Sequence, residues 1–156
     1  MKNYILLLVL FIGVQNLQAQ DAQTEITDAE LEKYAVTMDS INDMKASLLE
    51  DISEMVTSNE KMTNARYNEL SKIAKDEAAL AKAKATPEEI AFLKEVAAAK
   101  AEGTANIQKT FQSMAKEYVG ASSYNKIKKA LSSDVDVKKR YETFMDKLEA
   151  NDSGVN

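Results

Sequence analysis

The chain has 156 residues, with 25 acidic against 20 basic side chains and a net charge of −5. A surface of that sign repels DNA, RNA and anionic lipid headgroups, which argues against nucleic acid as a partner. Neither His nor Cys occurs, which closes imidazole and thiolate metal sites, Ser-His-Asp and Cys-His catalysis, and disulfides.

At the N-terminus, Lys2 precedes an apolar run from Tyr4 to Val14, and a polar stretch follows to Gln20. This is the pattern of a secretory signal peptide, assigned to residues 1–19, with Ala19 last before cleavage and Leu17 where a small residue is preferred. The run is too short for the ~20 residues that cross a bilayer. No cysteine follows it to carry a lipid. Cleavage leaves 137 residues with 19 basic and 25 acidic side chains, enough for one helical domain over residues 20–150. The expected location is the periplasm, because no outer-membrane strand pattern or secretion tail is visible. No stable membrane insertion is expected after cleavage.

The first long helix opens at Thr27-x-x-Glu30, a capping box flanked by Ile26 and Leu31. Apolar residues then recur at Leu31, Tyr34, Met38, Ile41, Leu48, Ile52 and Met55, a coiled-coil-like seam broken only by Lys45. A turn near Thr57–Thr63 leads to a second helix from about Asn64 to Ala85. Thr86-Pro87-Glu88-Glu89 opens the third helix with a cap, a proline at the first position and the box glutamate. Its seam passes through Ile90, Leu93, Ala97, Ile107, Phe111, Met114 and Tyr118, with Lys100 and Thr104 as polar exceptions. After Gly120 come a helix over about Ala121–Leu131 and a last one from Asp134 to about Glu149, capped by Ser133. Residues 151–156 read as a disordered polar tail.

Shifting the first helix by 59 positions lays Thr27 on Thr86, Glu30 on Glu89, Leu31 on Ile90 and Met55 on Met114. The match resumes at 57, where Tyr67-Asn68 falls on Tyr124-Asn125. Repeat 1, about 26–85, and repeat 2, about 86–149, therefore read as diverged copies of one helical hairpin. The expected fold is all-α, an antiparallel bundle of four to five helices built from two hairpins. A dimer with the long helices paired between chains is the alternative.

Four segments carry a resemblance: Ile26–Tyr34, Arg66–Leu70, Thr86–Ile90, and Tyr124–Ile127 with Asp134 and Arg140-Tyr141. In that order they resemble domain-of-unknown-function family 4168, exported bacterial helical proteins. Members often carry Gly-Leu where this chain has Gly120-Ala121. The resemblance implies export and a helical fold, and it supplies no catalytic residues.

No residue set points to catalysis, to a metal or to a cofactor. The glycines never cluster to cradle phosphates. Asp134-x-Asp136 lacks the rest of a calcium loop and suits a helix N-terminus. The methionines on the seams read as core, whereas Met44 and Met62 fall off the seam and are free to be exposed. Lys45, Lys100 and Thr104 are the least expected residues, because they put polar groups on an apolar seam. They form a polar middle layer, the one candidate site, lining a cavity or sitting at the bundle's edge. The expected function is non-enzymatic: binding other proteins or self-assembly, in one form as a periplasmic holdase-like chaperone. The alternative is a small-ligand or cation-binding bundle using the middle layer.

Overall fold

The computed structural model describes residues 25–153. The assigned signal peptide and the last three residues lie outside them. Among the described residues there are six α-helices and no strand. They are α1 (Asp28–Ser58), α2 (Asn64–Ser71), α3 (Glu77–Lys82), α4 (Pro87–Ser113), α5 (Ala121–Ala130) and α6 (Val135–Ser153), with a π-turn at Met114–Tyr118. None is long and apolar enough to cross a membrane.

Both long helices start as their sequences dictate. Thr27 accepts from the Glu30 amide while Glu30 accepts from the Thr27 amide, and Thr86 and Glu89 do the same. The C-terminal half of α1 shares a core with the start of α4, so the two run antiparallel. That core holds Met62, Leu70, Leu80, Phe92, Leu93 and Val96, with Ile52 and Met55 packed on it. The second core sits at the other end, where Ile26, Leu31 and Tyr34 meet Val119, Ile127 and Val137.

The expected second helix is two. After α2 the chain tightens, with the Ile73 amide donating to Leu70 and the Asp76 amide to Ile73. Asp76, extended at φ −112, then caps α3 through the Ala79 amide. The Ala/Lys run has the propensity for one continuous helix, but the break turns Leu80 into the same core as Leu70. Burying both outweighs a few residues of propensity. A Schellman motif closes α3: the Ala85 amide reaches Leu80, the Lys84 amide reaches Ala81, and Lys84 takes φ 54.

Other ends differ in detail. The cap of α6 is Asp134 rather than Ser133; its carboxylate accepts from the amides of Asp136 and Val137. The helix continues to Ser153, past the expected end at Glu149. Between α4 and α5, the Val119 amide bonds back to Met114, and Gly120 at φ 90 turns the chain.

Between the two cores only α1 and α4 remain. Over residues 42–51 of α1, only Met44 and Leu48 are half-buried; over 97–109 of α4, only Ala99, Gly103 and Ile107 are. The molecule is two helical ends joined by a two-helix neck. The helices are closest at Gly103, where a β-carbon would stand 2.4 Å from Leu48 Cδ1.

Candidate functional site

The neck's register moves the three residues singled out from sequence. Lys45, Lys100 and Thr104 are all exposed, with Met44, Ala99 and Gly103 taking the inward positions one residue earlier. Met44 is therefore half-buried, and Met62 is buried in the first core. Likewise Val96 is buried and Ala97 exposed. The Thr104 hydroxyl donates to the Lys100 carbonyl of its own helix at 2.7 Å, so its hydrogen bond is internal to α4.

These residues share one flank. At about 100° per residue, Leu49 lies about 160° round α1 from Ser47 and Asp51, and Lys45 about 160° from Ser47. On α4, Lys100 and Thr104 each lie about 160° from Glu102. In an antiparallel pair these positions put Lys45, Leu49, Lys100 and Thr104 on one side. At both ends of the molecule that side is covered. Ala35 and Ile41 are buried near the start of α1; Val56 is half-buried near its end, as are Ile90 and Phe111 on α4. Opposite, Asp51, Glu54, Glu95 and Glu102 are exposed along the whole length. The neck thus has an open back and a front recessed between the two ends.

Leu49 stands in this recess at 69% exposure, next to the half-buried Leu48. At its foot a groove of about 330 Å³ runs between α1 and α2, lined by Leu49, Ile52, Val56, Tyr67, Asn64 and Asn68. None of the groove's lining residues is charged. On the back, a trough of about 390 Å³ follows from the missing side chain of Gly103, with Met44 and Leu48 below and Asp43 and Asp51 at the rim. Lys45, Lys100 and Thr104 line neither.

Two polar ties fix the ends that wall the recess. Arg66 on α2 donates to the Glu89 carboxylate at 2.9 Å and to the Ala83 carbonyl at 2.9 Å. Its hydrogen bonds to Glu89 and Glu69 raise its pKa, and the same bond holds the Glu89 carboxyl below the usual range. Ser123 on α5 donates to Glu30 at 2.6 Å. That bond, with those from Thr27, lowers the Glu30 pKa to about 2. Arg140 on α6 adds bonds of 2.9 Å to Asp28 and to the Ile26 carbonyl.

Behind the second wall, Tyr34 packs on Tyr124 at 5.2 Å and edge-on to Tyr141 at 5.8 Å. Burial first, then its tyrosine neighbours, pushes the Tyr34 hydroxyl up to about 12, so it stays neutral. Every buried side-chain nitrogen or oxygen among the described residues has a partner, and no group of three or more acidic side chains there could hold a metal ion.

Sequence reasoning missed Leu49. The available signal was the Leu48-Leu49 pair, since one helix seam can bury only one of two adjacent leucines. Compared with known proteins, the chain matches no protein-family model, no curated protein and no solved structure.

Proposed function

We propose that this is a non-enzymatic exported protein that acts by holding segments of other protein chains, in the manner of a periplasmic holdase. The observation that carries this reading is the recess itself. It is an open front on a two-helix neck, walled at both ends, with an exposed leucine and an uncharged apolar groove. An apolar side chain that the fold leaves in water between fixed walls marks an interaction surface. The alternative of an internal polar layer for a small ligand gains no support from the outward placement of Lys45, Lys100 and Thr104.

The further proposals are duplication and kinship. Arg66 and Ser123 are equivalent at the offset of 57, and they clasp the box glutamates Glu89 and Glu30, equivalent at 59. Buried Met62, Leu70 and Leu80 correspond to buried Val119, Ile127 and Val137. These pairs support two diverged copies of one helical unit, whose front faces meet at the recess. The likeness to domain-of-unknown-function family 4168 supports export.

The test is light scattering from a thermally unfolding periplasmic protein, with and without the purified chain. Suppression of aggregation at near-stoichiometric ratios, absent with an equally acidic helical control, is the expected result. Unchanged scattering would remove the holdase reading.

A further inference from the structure

The recess is selective in charge as well as polarity, and this deepens the proposed function and rests on it. The neck's charged residues are sorted by flank. On the front the charges are Lys45 and Lys100, both exposed. The neck's carboxylates Asp43, Asp51, Glu54, Glu95 and Glu102 lie at least about 120° round their helices from Leu49 or Thr104. Only Glu50 comes nearer, at about 100°. An acidic chain therefore presents a cationic floor at the one place where its neck is recessed. The uncharged α2 wall at Asn64, Tyr67 and Asn68 does nothing to neutralise it.

The two halves offer an internal comparison. The position equivalent to Leu49 in the second half is Gln108, also exposed, and the position equivalent to Ile52 is Phe111. Phe111 packs edge-on against Tyr124 at 5.6 Å, filling the space that stays open as a groove beside Tyr67 in the first half. The fold thus tolerates a polar residue at the Leu49 position and can close the groove when a larger side chain stands at Ile52. The first half does neither.

Size selects the occupant. The open floor spans about eight residues of each helix, roughly 12 Å at 1.5 Å per residue, the diameter of one helix. A stable dimer needs about 800 Å² from each partner, more than this floor offers, and a second copy's two-helix back is too wide to enter it. The groove, at about 330 Å³, is twice the ~150 Å³ that takes one benzene ring, room for two large apolar side chains.

We propose that the recess docks a single amphipathic segment of a partner protein whose apolar residues enter the Leu49–Tyr67 groove and whose carboxylates pair with Lys45 and Lys100. The pairing is set on an exposed floor, so it steers and selects more than it tightens, and it weakens with salt.

The probes are three synthetic 18-residue peptides: a Leu/Glu amphipathic helix, its Leu/Lys counterpart, and an Ala/Glu helix with no large apolar face. Each is titrated into the protein with amide shifts as the readout. The Leu/Glu peptide should shift the amides of Lys45, Leu49, Tyr67 and Lys100 and bind at least tenfold tighter than the other two. The double variant Lys45→Glu/Lys100→Glu, exposed at both sites and so expected to fold, should reverse the preference to Leu/Lys. Leu49→Gln, the residue the second half carries, should weaken Leu/Glu binding about tenfold. Equal binding of all three peptides, no binding, or shifts confined to the back trough would overturn the proposal. So would concentration-dependent self-association that Leu49→Gln abolishes, because it makes a second copy the occupant. If the double variant binds as the parent does yet aggregation suppression is intact, the charge assignment fails while the holdase reading stands.

Discussion

Glu30 shows how much one side chain can do at a helix start. It closes the capping box, satisfies the Thr27 amide and receives the Ser123 hydroxyl from a helix more than ninety residues away. Its carboxyl is held at about 2, against an ordinary 4.5, chiefly by Ser123. A carboxyl depressed in the folded state contributes its stability in full above the ordinary value and loses it as pH falls toward the folded one. Stability should therefore drop between pH 4.5 and 2 as Glu30 protonates. Ser123→Ala should raise the Glu30 pKa and make that drop smaller. A carbon-detected titration of the carboxyl checks the first point, and urea unfolding at several pH values the second. Lys84 offers a test of the opposite kind. It holds φ 54 in the Schellman motif, a left-handed conformation that costs an L-residue about 1–2 kcal/mol. Lys84→Gly should stabilise the protein by about 1 kcal/mol in thermal or urea unfolding, and an unchanged midpoint would sink that expectation.

At the scale of elements, the helix starts were legible and the seams were not fully so. Thr27-x-x-Glu30 and Thr86-Pro87-x-Glu89 announce α1 and α4, because capping chemistry is local. The seam through the neck depends on small residues. Ala99 and Gly103 carry little hydrophobic signal, so apolar counting passed over them to Lys100 and Thr104, one residue late. The same slip exchanged Met44 for Lys45. It turned an outward polar flank into an apparent inner layer. The split between α2 and α3 was hidden for another reason: it is decided by Leu80 reaching the core, a tertiary gain that no propensity records. The Gly103 approach can be tested directly. Gly103→Ala gains up to about 1 kcal/mol of helix propensity but drives Leu48 outward, and the two should nearly cancel. In a Leu48→Ala background the full gain should appear, giving a coupling of about 1 kcal/mol in a double-mutant cycle. Equal effects in both backgrounds would mean that the helices do not meet there.

The whole molecule is long for its mass. A helix of 31 residues spans roughly 46 Å, and the cores lie toward its two ends. A compact chain of about 130 residues has a radius of gyration near ~14 Å; two cores separated by a neck should give about 16–17 Å by small-angle scattering, and a value near 14 Å would mean the ends fold together. No pattern in the sequence announces this shape. The front flank of the neck and the front flanks of the ends have the same helical period, and only the three-dimensional placement of α2, α3, α5 and α6 leaves one stretch bare.

The same placement sets a schedule for folding. Ile26, Leu31 and Tyr34 are among the first described residues to be synthesised, and their core partners Val119, Ile127 and Val137 are among the last. Until the ribosome has released the region around Tyr141, the apolar face at the start of α1 has nothing to close against. Early collapse onto a neighbouring segment is replaced by a wait of about a hundred residues. A growing chain of this kind stays pliable until synthesis is nearly complete, the condition in which a channel that passes only unfolded polypeptide could take it.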